Sequence, residues 1–327
     1  MPAKLEVTDL RKTFRVHEGG RRRGLQALAG VDLSIAAGTT LGVVGESGCG
    51  KSTLARTIMF LEQADSGKIT LDGVDLLSLS NRDRKSRSRR IQMVFQDPYS
   101  SLNSRLRIRD IMMEPFSANP DIEPDPAART KIVADLMEKV SLPQHVLDWY
   151  PSQLSGGQRQ RVGIARALVL EPEVLVCDEA VSALDVSVQA QVLNLLRDLQ
   201  DEMNLSVLFI SHDVSVVEFM AQDITVMYLG RVVETGPAKE VVRAPLHPYT
   251  HGLLEASPGR HALNNEKRPR VELRGDPPSP LDPPSGCPFR TRCPRAQDLC
   301  AEIPPPLAPI EGVPLRQVAC HFPLEVS

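Results

Sequence analysis

The stretch TLGVVGESGCGKST carries residue types suited to binding phosphate. Gly45, Gly50, Lys51 and Ser52 stand in the spacing G-x-x-x-x-G-K-[ST], after an apolar run and before a helix-forming one. Glycines let the backbone fold so that successive N–H groups point inward at phosphate oxygens. The helix that follows adds roughly half a positive charge at its N-terminus. Glu46, Ser47, Gly48, Cys49 and Thr53 complete the candidate cradle. Lys51 is expected to hold the β- and γ-phosphates of a nucleoside triphosphate, and the Ser52 hydroxyl to ligate Mg²⁺.

A second stretch, VLVCDEAVSALD, supplies carboxylates. Asp178 ends an apolar run, where a hard oxygen donor can orient Mg²⁺. Glu179 follows it and is placed to polarise an attacking water, a role that typically supplies ~10²–10⁴-fold in rate. Cys49 and Cys177, beside these groups, read as small buried fillers.

The elements that must position these groups are legible as a pattern. The short apolar runs TLGVVG, IQMVF, VLVCD and SVLFIS alternate with helix-like segments, which predicts an α/β fold with a parallel sheet covered on both faces. In VSVQAQVLNLLRDLQ, Val188, Val192, Leu195, Leu196 and Leu199 recur at helical steps. Between Gln96 and Leu154 the texture turns helical, with PAARTKIVADLMEKV as one helix and SANPDIEPDP as a turn-rich break. From Pro245 onward 17 of the 27 prolines and four of the six cysteines fall, so a boundary is expected near 240–260.

With 38 basic and 41 acidic side chains in 327 residues, the net charge of −3 gives no sign of a nucleic-acid binder. No apolar run approaches the ~18 residues of a membrane-spanning helix. The N-terminus has no signal-peptide core, so a cytosolic chain with reduced thiols is expected. The arginine runs at Arg21 to Arg23 and up to Arg90 read as solvated loops and a charged helix edge, with weak contact to anionic headgroups as the alternative.

Leu154 to Gln158 spell LSGGQ, twenty residues ahead of the Asp178 strand end, and here the chain resembles the ATP-binding-cassette ATPases. The other motifs follow in order. Gln96 in VFQDP resembles the Q-loop glutamine, Ser182 to Asp185 the D-loop, and His212 in ISHD the switch histidine; Phe14 lies where the family stacks an aromatic ring on adenine. The resemblance implies a RecA-like core with an antiparallel β subdomain and a helical insertion. It places the cassette at residues 1–245, the insertion at about 97–165, and a small proline- and cysteine-rich domain at 246–327. It implies that Ser155, Gly156, Gly157 and Gln158, with Asp185, complete the ATP site of an opposite subunit. Gln96 would contact Mg²⁺ and the water, His212 the γ-phosphate. Ala180 departs from the family, where proline commonly follows the catalytic glutamate. A soluble cassette acting on nucleic acid or ribosomes is the alternative class, but such chains carry coiled coils, zinc modules or paired cassettes.

Four thiols remain. Cys287, Cys293, Cys300 and Cys320 are separated by gaps of five, six and nineteen residues, looser than zinc knuckles. Cysteine followed by proline, at Cys287 and Cys293, suits an iron–sulfur cluster, and Arg290, Arg292 and Arg295 could offset its charge. A [4Fe–4S] centre is expected, with Zn²⁺ or unligated thiols as alternatives and a structural staple as its role.

VFQDPYSSLNSR, SALDVSVQAQVLNLL, HPYTHGLLEASP and GDPPSPLDPPSGCPFRTRCP together resemble the ATPase subunits of bacterial dipeptide/oligopeptide importers, and the second subunit of the usual pair. That resemblance implies ATP and Mg²⁺ as ligands and ATP-driven closure of a head-to-tail dimer. The implied partners are a second ATPase subunit, two transmembrane permease subunits and an extracytoplasmic peptide-binding protein, with no nucleic acid. The implied location is the cytoplasmic face of the bacterial inner membrane, held peripherally.

Overall fold

A computed structural model of the protein describes residues 3–97, 101–256 and 275–325. Positions 98–100 of the VFQDPYSSLNSR stretch, and the end of the expected 240–260 boundary region, lie outside the described residues. In chain order the first elements are β1 (Ala3–Glu18), β2 (Arg21–Ala36), β3 (Thr40–Val44), α1 (Lys51–Ile58), β4 (Ser66–Leu71), β5 (Val74–Asp75) and α2 (Asn81–Ser88). Next come β6 (Ile91–Val94), α3 (Ile108–Ala118), α4 (Pro126–Lys139), α5 (Gly156–Leu168), β7 (Val174–Asp178), α6 (Val186–Met203) and β8 (Ser206–Ile210). The chain ends with α7 (Val214–Met220), β9 (Asp223–Tyr228), β10 (Arg231–Pro237), α8 (Ala238–Arg243), α9 (Pro248–Glu255), α10 (Asp298–Glu302), β11 (Ala308–Ile310) and β12 (Val313–Val318).

These elements form two compact units. The first holds residues 1–4, 36–39 and 76–208; the second holds 5–35, 40–75 and 209–327. In the first unit β6 and β7 pair in parallel, from Ile91 opposite Val174 to Val94 opposite Cys177. All five residues of β7 are buried, as expected of a strand covered on both faces. On α6, Val192, Leu195, Leu196 and Leu199 are buried as their spacing requires, with Val188 half-buried. α3, α4 and α5 pack on one another and form the helical part of the expected insertion. Asp125 caps α4 by accepting from the Ala127 N–H at 3.0 Å, with Pro126 in its first turn. The arginine-rich α2 buries no residue, which agrees with a solvated helix.

In the second unit β1, β2, β4 and β5 form a sheet in the order β2–β1–β4–β5. Its β1–β4 and β4–β5 pairs are antiparallel, which matches the β subdomain expected there. β3 and β9 pair in parallel, Leu41 opposite Asp223 through Val44 opposite Val226. β10 then runs antiparallel to β9, and β12 antiparallel to β10, with Glu234 opposite Val318. Two residues from the far end of the chain are thus laddered onto the strand that follows β9.

One buried ion pair fixes that return. Arg316 donates to Glu234 at 2.5 Å and to the Ala244 carbonyl at 2.8 Å, while the N–H groups of Leu246 and His247 each donate to Glu234 at 2.9 Å. Both side chains are sealed from solvent. A charge pair so placed persists because three donors meet the buried carboxylate.

Candidate functional site: a phosphate loop and a carboxylate pair

The phosphate loop leaves β3 and enters α1 in the second unit. Its glycines are dictated by crowding. A Cβ on Gly45 would lie 2.3 Å from the Met227 carbonyl oxygen. Gly50 has φ +110°, a region that disfavours side chains, and its Cβ would meet the Ala27 carbonyl at 2.4 Å. Lys51 is buried and curls into the loop: its ammonium donates to the carbonyls of Gly45 (2.7 Å) and Glu46 (3.0 Å). Burial pushes the Cys49 thiol up, against the pull of the Lys51 charge, and keeps it protonated. Ser52 and Thr53 lie in the first turn of α1.

Two residues that sequence reasoning did not connect to this loop also hold it. The Glu46 N–H donates to the Tyr249 hydroxyl at 2.8 Å. Arg292 donates to both Glu46 carboxylate oxygens, at 2.7 and 2.9 Å. No local signal in the sequence announces either partner, because each is more than 200 residues away.

His212 belongs to the same unit. The Ser211 N–H donates to the Val43 carbonyl at 3.1 Å, so the chain carrying His212 leaves its strand beside the strand that launches the loop. The His212 side chain is exposed. Phe14 is half-buried on β1, with the Lys12 ammonium 5.0 Å from its ring centroid.

The first unit gathers the remaining candidates. Asp178 ends β7 and is buried. Glu179 follows with φ +48°, a left-handed backbone that costs a non-glycine residue of order 1–3 kcal/mol and is held only by its surroundings. Gln96 donates to the Glu179 carboxylate at 2.9 Å. The sequence reading assigned these two side chains separately and did not foresee the bond between them. Burial pushes the neighbouring Cys177 thiol up to about 12, with the Asp178 charge adding to the rise.

Ser155 caps α5 in a capping box: its hydroxyl accepts from the Gln158 N–H at 3.3 Å, and its own N–H donates to the Gln158 side chain at 3.0 Å. Gly156 and Gly157 form the first turn behind it. A Cβ on Gly157 would sit 2.4 Å from a Val188 methyl, so this helix start needs a glycine for packing. Asp185 caps α6, accepting from the Val188 N–H at 3.0 Å and the Ser187 hydroxyl at 2.7 Å, and these bonds hold its carboxyl below the usual range.

In the first unit Asp178 offers a carboxylate and Gln96 an amide oxygen, and in the second Ser52 offers a hydroxyl; each is a hard oxygen donor of the kind magnesium takes.

The four C-terminal cysteines correct the sequence reading. Cys287, Cys293, Cys300 and Cys320 are all free thiols and line one small cavity with Phe289, Phe322 and His321. Among the described residues, no group of three or more His, Cys, Asp or Glu side chains is arranged to hold a metal ion. The expected [4Fe–4S] centre and its Zn²⁺ alternative are overturned. Burial raises the Cys287 and Cys293 thiols, and raises Cys320 to about 11. Two of the three arginines have partners elsewhere: Arg292 pairs with Glu46, and Arg290 donates to the Ser285 carbonyl at 2.9 Å.

Comparison with known proteins agrees with this geometry. A family model described as "ABC transporter" matches residues 28–182, and one described as "Oligopeptide/dipeptide transporter, C-terminal region" matches residues 233–300. The putative oligopeptide transport ATP-binding protein YkfD of Bacillus subtilis is 48% identical over 97% of this chain and 95% of its own length. The oligopeptide transport ATP-binding protein OppF of Salmonella typhimurium is 47% identical over 97% and 95%. The dipeptide transport ATP-binding protein DppF of Escherichia coli is 46% identical over 97% and 93%, and its description names peptide transport and ATP, not a cluster. Among solved structures, the ATP-binding cassette MJ0796, in a dimeric post-hydrolysis state bound to ADP and Pi, superposes with a TM-score of 0.64 at 27% identity over 72% of this chain and 98% of that one. The cbiO1 protein of Clostridium perfringens, part of the ABC transporter complex cbiONQ, gives 0.63 at 28% over 74% and 91%. With motifs, fold and end-to-end similarity in agreement, the chain belongs to the ABC ATPases, and within them to the ATP-binding proteins of oligopeptide and dipeptide transporters.

Proposed function

We propose that this chain is one member of a pair of unlike ATPase subunits that drive peptide uptake. Its activity is ATP hydrolysis coupled to transport of di- or oligopeptides. The observation that carries this reading is that similarity extends past the ATPase segment into the C-terminal region characteristic of peptide transporters, residues 233–300. The family works with permease subunits and dimerises; the finer assignment is a heterodimer, two transmembrane permeases and an extracytoplasmic peptide-binding protein. No helix among the described residues is long and apolar enough to cross a membrane, which fits a subunit held at the cytoplasmic face by its permeases. The division into a cassette at 1–245 and a C-terminal domain at 246–327 is part of the same proposal.

The residues take these roles. Backbone N–H groups from Gly45 to Thr53 and the Lys51 ammonium bind the triphosphate, and Lys51 exchanges its loop carbonyls for phosphate oxygens when ATP enters. Phe14 stacks on the adenine. Ser52, Gln96 and Asp178 would hold Mg²⁺, which supplies charge neutralisation when bound. Glu179 accepts the proton of the water attacking the γ-phosphorus while the bond to the bridging oxygen breaks, and Gln96 holds that carboxylate in place. His212 contacts the γ-phosphate, and Ser155, Gly156, Gly157, Gln158 and Asp185 serve the partner subunit's nucleotide.

Co-expression with neighbouring permease and ATPase subunits tests the proposal. A membrane complex whose ATPase rate rises with peptide supports it. Recovery with ribosomes or nucleic acid instead, and no peptide response, would reject it.

A further inference from the structure

The phosphate loop and the cysteine segment are 246 positions apart, yet one side chain joins them. Arg292, next to Cys293, meets Glu46 side by side, two N–H groups on two carboxylate oxygens at 2.7 and 2.9 Å. This is the bidentate geometry in which arginine binds a carboxylate most strongly. The arginine side chain is 5% exposed and the glutamate 22%. The guanidinium also lies 5.9 Å from the Tyr228 ring and 6.0 Å from the Phe289 ring, and those rings meet edge-on at 5.4 Å. The carboxylate holds the Arg292 charge more firmly protonated than usual, with the Tyr228 hydroxyl adding to it.

Glu46 is an unfavourable residue for a loop that binds a polyanion. The residue stands between Gly45 and Ser47 in the phosphate loop, which adds a negative charge close to where phosphate would bind. Like charges at close range in a half-buried site repel one another. The loop tolerates this carboxylate because Arg292 neutralises it and draws it toward the C-terminal segment. Tyr249, also from beyond residue 245, anchors the backbone of the same residue.

We propose that Arg292 is a positioning residue of the nucleotide site: it neutralises the Glu46 carboxylate and holds it away from the bound triphosphate. The C-terminal segment then contributes to ATP affinity without touching ATP. The inference rests on the ATP-site reading above.

The test uses the full-length chain within its assembled transporter, with ATP titrated in equilibrium binding and in steady-state hydrolysis. Arg292→Ala is expected to raise Kd and KM for ATP about tenfold, within the usual range for coupling between two sites. Its kcat at saturating ATP stays within about twofold, because no reacting group is lost. Removing the repelling charge as well, in Arg292→Ala/Glu46→Gln, recovers most of that affinity. A melting temperature for each variant separates folding from binding, and Arg292→Lys, which keeps the charge but loses the fork, gives an intermediate KM. Unchanged KM in Arg292→Ala, or a double variant as weak as the single, would reduce the pair to a packing contact and overturn the inference. If Arg292→Ala does not fold, an unchanged KM in Arg292→Lys overturns it equally. A wild-type chain that binds no ATP would instead overturn the functional reading on which the inference stands.

Discussion

The Gln96 side-chain amide donates to the Glu179 carboxylate across 2.9 Å, joining the loops that leave two parallel neighbouring strands, β6 and β7. The strand register brings Val94 opposite Cys177, so both loops start from the same level of the sheet. Glu179→Gln preserves this hydrogen-bonding shape and removes the base. Hydrolysis is expected to fall ~10²–10⁴-fold while ATP affinity stays near wild type. Single-turnover assays with labelled ATP measure both, and wild-type turnover in the variant would refute the role of Glu179.

Gly157→Ala puts a methyl into the Val188 side chain on α6. Overpacking of this kind costs about 1–3 kcal/mol. The denaturation midpoint should fall accordingly, and Val188→Ala in the same chain should restore much of it, since the two sites share one contact. If the double variant is no more stable than Gly157→Ala, the contact is not the cause.

Arg316→Met leaves Glu234 buried with its two backbone donors and no countercharge. Breaking a buried pair from one side costs about 3–5 kcal/mol. Urea denaturation should report a loss of this size, whereas a change under 1 kcal/mol would mean that water reaches the pair.

His247 predicts a pH dependence of stability. Its ring is buried against Phe289 and Tyr249, and its Nδ1 accepts from the Tyr249 N–H at 3.0 Å. Burial pushes its pKa down to about 3, only partly opposed by a backbone bond at Ala319. The unfolded chain titrates near 6.5 and so binds the extra proton first. Stability is therefore full above pH 6.5 and is lost as the pH falls from there toward 3. His247→Asn retains a helix-capping side chain and should flatten the loss between pH 7 and pH 5, followed by thermal melts at each pH. An unchanged slope would assign the acid sensitivity to other groups.

The motifs were legible in the sequence because their chemistry is local. A loop that must clear the Met227 and Ala27 carbonyls needs glycine at Gly45 and Gly50, and the spacing displays that need. The strand ends at Asp178 and Ser211 were legible because continuous apolar runs stop there. The C-terminal region was less so. Its strands are short, and β12 is specified by a partner strand some 80 residues earlier, a relation that periodicity cannot show. The cysteines misled because four thiols in one segment resemble a ligand set, whereas no group among the described residues is arranged to hold a metal ion. Arg292 was read as a counterion for that cluster. Its true partner is a glutamate in the phosphate loop, which only the fold brings near.

The antiparallel return of β12 onto β10 also bears on how the protein is made. A ribosome synthesises the phosphate loop, α5 and the carboxylates of Asp178 and Glu179 long before it reaches Arg292 and Arg316. Until those residues emerge, Glu46 has no guanidinium and Glu234 no countercharge. Among the described residues, the loop that binds ATP is among the earliest chemistry translated and the latest to be packed. A nascent or truncated chain that lacks Arg292 therefore leaves Glu46 without its charge partner, and the packing around this loop is completed only late in translation.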